Sequence, residues 1–342
     1  MTLALADYTT LGVGGPARRV VVTQDEHELV TTIADCDRRG EPVLIIGGGS
    51  NLVIADAGFD GTVVLVRTQG IESQADTCGG AWVTAAAGEP WDDFVAHAVT
   101  SELSGVEGLS GIPGCVGATP IQNVGAYGQQ VADVVARVRT WDRVDGVQRT
   151  LAAAECGFGY RTSLFREDLS RYVILDVTMQ LALSPTSTPI EYVDLLRQLG
   201  AEPGSRRPLA DVRAAVLAVR RTKGMVLDPT DPDTRSTGSF FTNPILTDGQ
   251  ADRLLPATAP RYPAGAGQVK TSAAWLIEHA GFDRGYGNER SAISSKHTLA
   301  LTNRGHASAN DVLDLAREIR AQVLAQFEIT LEVEPIMVNC AL

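Results

Sequence analysis

The hydrophobic and polar positions near the start of the chain follow the pattern of strands joined by a helix. Residues 18–23 contain three consecutive valines and predict a strand, and residues 43–46 predict a short buried strand. Residues 62–66 predict a third strand that closes this first part of the chain. A strand–helix–strand pattern with a glycine-rich turn indicates an α+β or α/β arrangement of the kind that handles nucleotides.

A helix is predicted between the first two strands. Leu29 and Ile33 place apolar side chains on one helical face, and Gly40 supplies a stop signal. Thr23 is followed three residues later by Glu26, which matches a capping box. We therefore expect Thr23 to cap the start of this helix.

The same criteria assign elements to the rest of the chain. Further strands are predicted at residues 81–87, 131–141, 172–183, 239–241 and 329–338. Further helices are predicted from Pro90 to about Leu103 and over residues 191–199, 209–222, 272–279 and about 308–327. The acidic, proline-containing residues 228–233 break the composition and predict a domain boundary or a mobile loop.

Length and composition predict a globular protein of two or three domains. The chain has 342 residues, of which 44% are hydrophobic and 20% charged. No apolar run reaches the ~20 residues of a membrane helix, and residues 1–7 lack the basic segment of a secretory signal. The five cysteines are scattered without a C-x-x-C pair, which suggests neither a disulfide framework nor a zinc site. We therefore expect a cytoplasmic protein.

The charge balance excludes two classes of partner. The net charge is −12, from 29 basic and 41 acidic residues. Nucleic acids and anionic membranes are bound through basic surfaces, so neither is expected as a partner. An anionic ligand would have to be held by a few local cations and backbone amides.

Several familiar binding and catalytic motifs are absent or lie in the wrong structural context. Residues 12–17 formally match the dinucleotide-binding pattern G-x-G-x-x-A, but Pro16 and a following strand stand where a helix should begin. The sequence contains no G-x-x-x-x-G-K-[ST] loop and no G-x-S-x-G elbow. Its five histidines show no H-E-x-x-H spacing, so no metal is expected.

Two glycine-rich stretches carry the chemistry that remains. One is Gly47–Asn51, directly after a buried strand, and the other is Gly111–Gly128, which is nearly uncharged. Each could be an ordinary turn or surface loop. Glycines also allow backbone amides to approach a ligand closely, and such amides bind a diphosphate without lysine. Two such concavities in neighbouring domains suit a long dinucleotide lying across an interface.

The motifs together resemble those of a known family, the FAD-binding UDP-N-acetylenolpyruvoylglucosamine reductases, which make UDP-N-acetylmuramate for peptidoglycan. The resemblance covers essentially the whole chain, in family order. It is carried by Gly47-Gly48-Gly49-Ser50-Asn51, Ile112-Pro113-Gly114-Cys115-Val116-Gly117, Pro120-Ile121-Gln122-Asn123-Val124-Gly125-Ala126-Tyr127-Gly128, Gly159-Tyr160-Arg161-Thr162-Ser163-Leu164-Phe165 and Gly238-Ser239-Phe240-Phe241-Thr242-Asn243-Pro244.

The resemblance implies an α+β fold of three domains and noncovalently bound FAD. Two N-terminal domains would form an FAD-binding fold of the vanillyl-alcohol-oxidase type, and a third α/β domain would bind substrate. The expected bounds are 1–70 and 71–220 for the FAD-binding subdomains, with strand 327–342 joining the second, and 221–326 for the substrate domain. NADPH would reduce the flavin, and the enolpyruvyl double bond of the sugar nucleotide would then be reduced.

The resemblance also implies three catalytic residues. Arg161 would stabilise charge that develops on the substrate carboxylate, because a fixed cation lowers such a barrier. Ser239 matches the proton donor of the family, and Glu334 matches its catalytic glutamate. Glu332 stays open as an alternative, since it lies two residues earlier and would share a strand face with Glu334.

Binding residues follow from the same motifs. Cofactor contacts are expected from Gly47, Gly48, Gly49, Ser50, Asn51, Leu52, Gly111, Ile112, Pro113, Gly114, Gly117, Ala118, Ile121, Val124, Gly125 and Arg220. Substrate contacts are expected from Tyr127, Tyr160, Tyr192, Lys223, Asn243 and Lys270, with Tyr192 marking the subgroup whose tyrosine covers the nucleotide. Two positions depart from the family pattern: Ala118 where members often have Ser, and Pro335-Ile336 where Val-Arg commonly follows the glutamate.

Two rival functions stay open at this point. The chain could be another flavoenzyme of the same fold, such as an oxidase that uses oxygen, or a noncatalytic nucleotide-binding module. The retention of Arg161, Ser239 and Glu334 argues against the second. The expected partners are small molecules only, and the expected assembly is a monomer or weak oligomer.

Overall fold

A computed structural model describes residues 3–76 and 80–342 of the chain. Cys78, one of the cysteines considered above, lies outside these residues. The chain divides into two compact units. We call Ala17–Gly48 with Asp60–Val226 the sheet unit, and Met1–Pro16 with Gly49–Phe59 and Leu227–Leu342 the C-terminal unit.

The α-helices of the described residues are α1 Glu26–Arg38, α2 Trp91–Thr100, α3 Leu164–Glu167, α4 Val193–Leu199, α5 Leu209–Thr222, α6 Asp248–Leu254, α7 Ala273–His279 and α8 Ala309–Phe327. The strands are β1 Ala17–Thr23, β2 Val43–Ile46, β3 Leu52–Ile54, β4 Phe59–Val66, β5 Ile71–Asp76, β6 Gly80–Ala86, β7 Leu103–Ser104, β8 Gly125–Ala126, β9 Gln129–Gln130, β10 Val135–Asp142, β11 Val147–Ala152, β12 Tyr172–Leu183, β13 Ile245–Thr247, β14 Tyr262–Pro263, β15 Gln268–Lys270, β16 Ser291–Ile293, β17 Leu301–Asn303 and β18 Ile336–Val338. Most predicted helices and strands are confirmed within a few residues.

The sheet unit is built around an antiparallel sheet of order β11-β10-β12-β6-β5. Buried and half-exposed residues alternate along β10 and β6, as a sheet with one covered face requires. Helix α2 contributes the fully buried Trp91 and Phe94 to the same core. A smaller sheet of order β1-β4-β2, in which β2 and β4 run parallel, completes the unit.

The first helix begins two residues later than predicted. Asp25 is its N-cap and accepts a hydrogen bond from the amide of Glu28, while Glu28 accepts one from the amide of Gln24. Thr23 is instead the last residue of β1, fully buried, and its hydroxyl donates to the carbonyl of Leu65. The predicted cap at Thr23 is therefore wrong, because Thr23 belongs to β1 and its hydroxyl is already bonded to Leu65.

The C-terminal unit packs α7 and α8 over an apolar core. Phe240, Phe241, Leu276 and Ile319 are nearly or fully buried in it. Ser272 and Ser308 cap the two helices with their hydroxyl groups, so the predicted starts of both helices are confirmed.

The predicted terminal strand 329–338 is largely wrong. Only β18 is a strand, and it follows Pro335, which has no N–H for a ladder. This strand pairs in parallel with β3, in the C-terminal unit. The sequence had placed it with the second FAD-binding subdomain. The division into three functional domains stays a prediction.

The acidic residues 228–233 are tied into the C-terminal unit. Asp233 is 4% exposed and accepts hydrogen bonds from the amide and hydroxyl of Ser295 and from Arg304. Asp231 forms an ion pair with Lys296. The division between the two units falls close by, at Val226–Leu227. The mobility of this segment stays a prediction. Among residues 3–76 and 80–342, no helix combines the length and apolar character that crossing a bilayer requires.

Candidate active site

The first glycine turn is shaped by direct contact with the second glycine stretch. A Cβ atom on Gly47 would lie 2.2 Å from the sulfur of Cys115, and one on Gly48 would lie 2.5 Å from the Cα of Gly114. No larger residue fits at either position without moving backbone or a buried thiol. Gly47 and Gly48 are thus packed against the second stretch within the sheet unit.

The second stretch is buried or half-buried except at Gly128, and several of its amides are used within the protein. The amide of Gly111 donates to the carboxylate of Asp92 at 2.6 Å, and that of Gly117 donates to the carbonyl of Ala87 at 2.9 Å. The amide of Ala118 donates to Cys115 at 3.0 Å. The surface-loop alternative is wrong. These three amides are also engaged within the protein, so any contact that Gly111, Gly117 or Ala118 makes with a ligand must come from other atoms.

Arg220 is a buried cation at the edge of this stretch. It is 8% exposed, and one of its terminal nitrogens donates to the carbonyl of Met225 at 2.7 Å. Its Nε is buried, with no hydrogen-bond partner among the described residues. Burial lowers the pKa of the guanidinium, although the neighbouring Tyr127 and Asp92 favour its charged form. Such a group is suited to an acceptor-rich or anionic ligand.

Three predicted substrate residues form one cluster in the sheet unit. The rings of Tyr127 and Tyr192 meet edge to face with centroids 5.0 Å apart, and Nζ of Lys223 lies 5.9 Å from each ring centroid. The ammonium of Lys223 is 2.8 Å from the carboxylate of Asp194. This ion pair raises the pKa of Lys223 against the opposing effect of burial. Aromatic faces beside a cation can bind a base and a phosphate.

Arg161 lies at the tip of a tight turn closed by a bridge between Gly159 and Thr162. Its backbone φ is +56°, a left-handed conformation that is uncommon for arginine. Its guanidinium donates to the carbonyl of Asn123 at 3.3 Å and to that of Gly125 at 2.6 Å. These two bonds hold the guanidinium in one orientation.

Ser239 and Glu334 lie on adjacent segments of the C-terminal unit. The segment with Ser239 forms a bridge to Ala300 on one side, and Phe241 forms a bridge to Val333 on the other. The amide of Glu334 donates to the carbonyl of Phe240 at 2.9 Å. Glu334 is half-buried, whereas Glu332 is exposed.

The other predicted residues have structural partners of their own. The side-chain oxygen of Asn243 accepts from the amide of Ala273 at 2.9 Å, which helps to cap α7. Lys270 ends β15, and Tyr160 is 38% exposed beside Arg161. The side-chain amide of Asn51 donates to the backbone carbonyl of Glu334 at 3.4 Å. The structure thus groups Arg161, Arg220, Lys223 and the two tyrosines in the sheet unit, and Asn51, Ser239 and Glu334 in the C-terminal unit.

Comparison with known proteins decides the family. Residues 17–152 match the sequence model of an FAD binding domain, and residues 228–338 match that of the UDP-N-acetylenolpyruvoylglucosamine reductase C-terminal domain. The chain is 54% identical over 341 residues to the UDP-N-acetylenolpyruvoylglucosamine reductase of Cutibacterium acnes, covering 99% of this chain and 90% of the relative. It is 56% identical over 347 residues to that of Thermobifida fusca, covering 99% and 97%. The chain belongs to the UDP-N-acetylenolpyruvoylglucosamine reductase family.

A solved structure supports the same conclusion for the fold. The UDP-N-acetylenolpyruvylglucosamine reductase of Thermus caldophilus is similar with a TM-score of 0.67 at 26% identity, over 99% of this chain and 98% of the other. The α+β, FAD-binding fold of the vanillyl-alcohol-oxidase type that the sequence predicted is thereby confirmed.

The residues of the sheet unit fit the FAD that this reductase family binds. Gly47 and Gly48 leave no room for side chains, so backbone alone lines the contact with Gly114 and Cys115. Arg220 offers a buried cation with one unpartnered N–H among the described residues. A cofactor with a diphosphate and an acceptor-rich ring matches this set of donors.

Sequence reasoning missed two residues that shape the candidate site. Asp92 binds the amide of Gly111 and forms a bidentate ion pair with Arg213. Asn123 is 1% exposed and binds the turn that carries Arg161. The available signal for Asn123 was its residue type, because Asn tolerates the left-handed conformation that it adopts here, with φ +46°.

Proposed function

We propose that this protein reduces UDP-N-acetylglucosamine enolpyruvate to UDP-N-acetylmuramate in the synthesis of peptidoglycan precursors. NADPH would be the reductant, and FAD the bound cofactor. The observation that carries the proposal is the identity of about half the residues, over nearly the full chain, with proteins named for this reaction. When bound, FAD supplies a two-electron carrier between NADPH and the enolpyruvyl double bond.

Arg161 would bind the substrate carboxylate. Electron density moves towards that carboxylate as the double bond is reduced, so a fixed guanidinium beside it favours the transition state. The carbonyls of Asn123 and Gly125 hold the guanidinium in one orientation. The left-handed backbone at Arg161 is the kind of strain that clusters at functional sites, which supports this assignment.

Ser239 would donate the proton that completes the second carbon of the former double bond. A serine hydroxyl is a weak acid, so it must be held against a strongly basic developing carbanion. Its backbone is fixed between Ala300 and the segment of Glu334, which supports such positioning. Glu334 would orient or stabilise the substrate beside it. The exposure of Glu332 favours Glu334 as the catalytic glutamate.

The cluster of Tyr127, Tyr192 and Lys223 would bind the nucleotide part of the substrate. The lysine would contact the diphosphate, and Tyr192 would cover the base or sugar. Tyr160, Asn243 and Lys270 would add contacts, and Arg220 would contact the cofactor. We further infer a cytoplasmic enzyme with small-molecule ligands only, active as a monomer or weak oligomer.

Product analysis tests this function against its rival. Purified holoenzyme is incubated with NADPH and the enolpyruvyl nucleotide without oxygen, and the product is identified by mass spectrometry. We expect UDP-N-acetylmuramate in amounts equal to the NADPH consumed. Absence of that product, with fast consumption of oxygen in aerated samples, would replace the proposal with an oxidase of the same fold.

A further inference from the structure

Asn123 joins the second glycine stretch to the turn of Arg161. Its side-chain amide donates to the carbonyl of Gly159 at 3.0 Å and to the side chain of Gln130 at 3.1 Å. Its side-chain oxygen accepts from the amide of Ala132 at 3.0 Å. All of these groups lie in the sheet unit. A buried side chain with three hydrogen bonds has little freedom to move.

The backbone of Asn123 acts on Arg161 directly. Its carbonyl accepts from a terminal nitrogen of Arg161 at 3.3 Å, and the carbonyl of Gly125 accepts from the other at 2.6 Å. A Cβ on Gly125 would lie 3.1 Å from the guanidinium, so glycine leaves the space that the cation fills. Asn123 therefore contacts both the turn and the side chain of Arg161. The side chain of Asn123 binds the turn at Gly159, and the carbonyl of Asn123 binds the guanidinium.

The left-handed backbone conformation of Asn123 directs its carbonyl oxygen towards Arg161. Rotation of φ from +46° to a negative value would turn the peptide group and move its oxygen away from Arg161. The side-chain bonds to Gly159 and Ala132 oppose such a rotation. We propose that Asn123 is a positioning residue that sets the guanidinium of Arg161 for the substrate carboxylate. This inference rests on the function proposed above.

The substitution Asn123→Gly tests the proposal, because glycine accepts the same φ while all three side-chain bonds are lost. We expect kcat/KM for the enolpyruvyl nucleotide to fall by about 10- to 100-fold, the usual effect of a misplaced catalytic group. The rate of flavin reduction by NADPH and the FAD content should stay near wild type. These two quantities also report whether the variant has folded.

A binding measurement separates positioning from general damage. Calorimetric titration of the oxidised holoenzyme is compared for UDP, which lacks the carboxylate, and for the enolpyruvyl nucleotide. We expect Asn123→Gly to lower the affinity for the enolpyruvyl nucleotide by roughly 10-fold and to leave the affinity for UDP unchanged. Gln130→Ala, which removes one of the three bonds, should give a smaller loss in the same ligand. Arg166→Gln is the matched control, since Arg166 contacts the neighbouring Gln122 at 3.3 Å.

The outcomes decide between two failures. A wild-type enzyme that does not convert the enolpyruvyl nucleotide would refute the proposed function. If the wild type converts it, an Asn123→Gly variant with unchanged kinetics would refute the positioning role alone. An equal fall in the affinities for UDP and the enolpyruvyl nucleotide, or loss of FAD, would likewise refute the positioning role, because the effect of the substitution would then be structural.

Discussion

The amide of Glu334 donates a 2.9 Å hydrogen bond to the carbonyl of Phe240, the residue that follows Ser239. The candidate proton donor and the candidate glutamate are therefore carried by two adjacent backbone segments. An antiparallel bridge between Phe241 and Val333 fixes the register of this contact. Small shifts of one segment would be transmitted to the other, so the two backbone segments keep a fixed register.

This arrangement distinguishes the two candidate glutamates. We expect Glu334→Gln to lower kcat with the enolpyruvyl nucleotide by about 10², because the group that would orient or stabilise the substrate loses its charge. Glu332→Gln should change kcat by less than about twofold, because Glu332 is exposed. Steady-state kinetics of both variants decide the point, and the reverse order would assign the role to Glu332.

Lys223 provides a second test in the sheet unit. We expect Lys223→Met to raise KM for the enolpyruvyl nucleotide by roughly 10- to 100-fold, because a charge-assisted contact to the diphosphate is lost. The effect on kcat should be small. Arg197→Gln is the control, since Arg197 also pairs with Asp194, at 3.6 Å, but is largely exposed. A fall in kcat with unchanged KM would exclude a binding role for Lys223.

The glycine turn gives a matched pair of substitutions. Gly48→Ala places a methyl group 2.5 Å from the Cα of Gly114, so we expect a marked loss of bound FAD and of stability. A Cβ atom at Gly249, in α6, would have no atom within 4 Å, so Gly249→Ala should stabilise the protein by up to about 1 kcal/mol through helix propensity. Flavin absorbance and thermal melting of the two proteins test this. Full flavin content in Gly48→Ala would show that the close contact is dispensable.

Asp92 makes stability depend on pH. Burial opposes ionisation of its carboxyl, but hydrogen bonds from Arg213 and the amide of Gly111 outweigh it and hold the pKa below the ordinary value. A carboxyl whose pKa is lower in the folded than in the unfolded chain stabilises the fold at pH values above the unfolded-state pKa. This stabilisation is lost as the pH falls through the folded-state pKa. We expect Asp92→Asn to cost about 1 kcal/mol at pH 7, a typical value for a half-exposed charged hydrogen bond.

Urea denaturation of wild type and Asp92→Asn at several pH values measures this effect. The difference in free energy of unfolding should be largest at neutral pH and shrink on acidification below about pH 4. A difference that grows on acidification would contradict the sign of the pKa shift.

The sequence predicts local structure well where one residue decides it. Ser272 and Ser308 cap their helices as their positions indicate. Thr23 failed as a cap because its hydroxyl is buried against Leu65, a contact set by a strand that lies far away in sequence. The strand expected at 329–338 is reduced to β18, which begins directly after Pro335, a residue without an N–H for a ladder.

The sequence predicts the candidate site as a set of residue names but not as an arrangement. Motifs identified Tyr127, Tyr192 and Lys223, yet only the fold shows that both rings and the ammonium meet. The role proposed for Asn123 depends on its φ and on partners in a separate turn, which its place in the motif does not reveal. Such geometry cannot be read from spacing along the chain.

The most direct test of the account is a single-turnover comparison of wild type and Ser239→Ala. Each holoenzyme is bleached anaerobically with one equivalent of NADPH, and the enolpyruvyl nucleotide is then added while flavin absorbance is followed. We expect equal rates of bleaching, rapid recovery of absorbance in wild type, and recovery slowed by at least ~10²–10⁴ in Ser239→Ala. Failure of wild-type absorbance to recover, or equal loss of both steps in Ser239→Ala, would contradict the account.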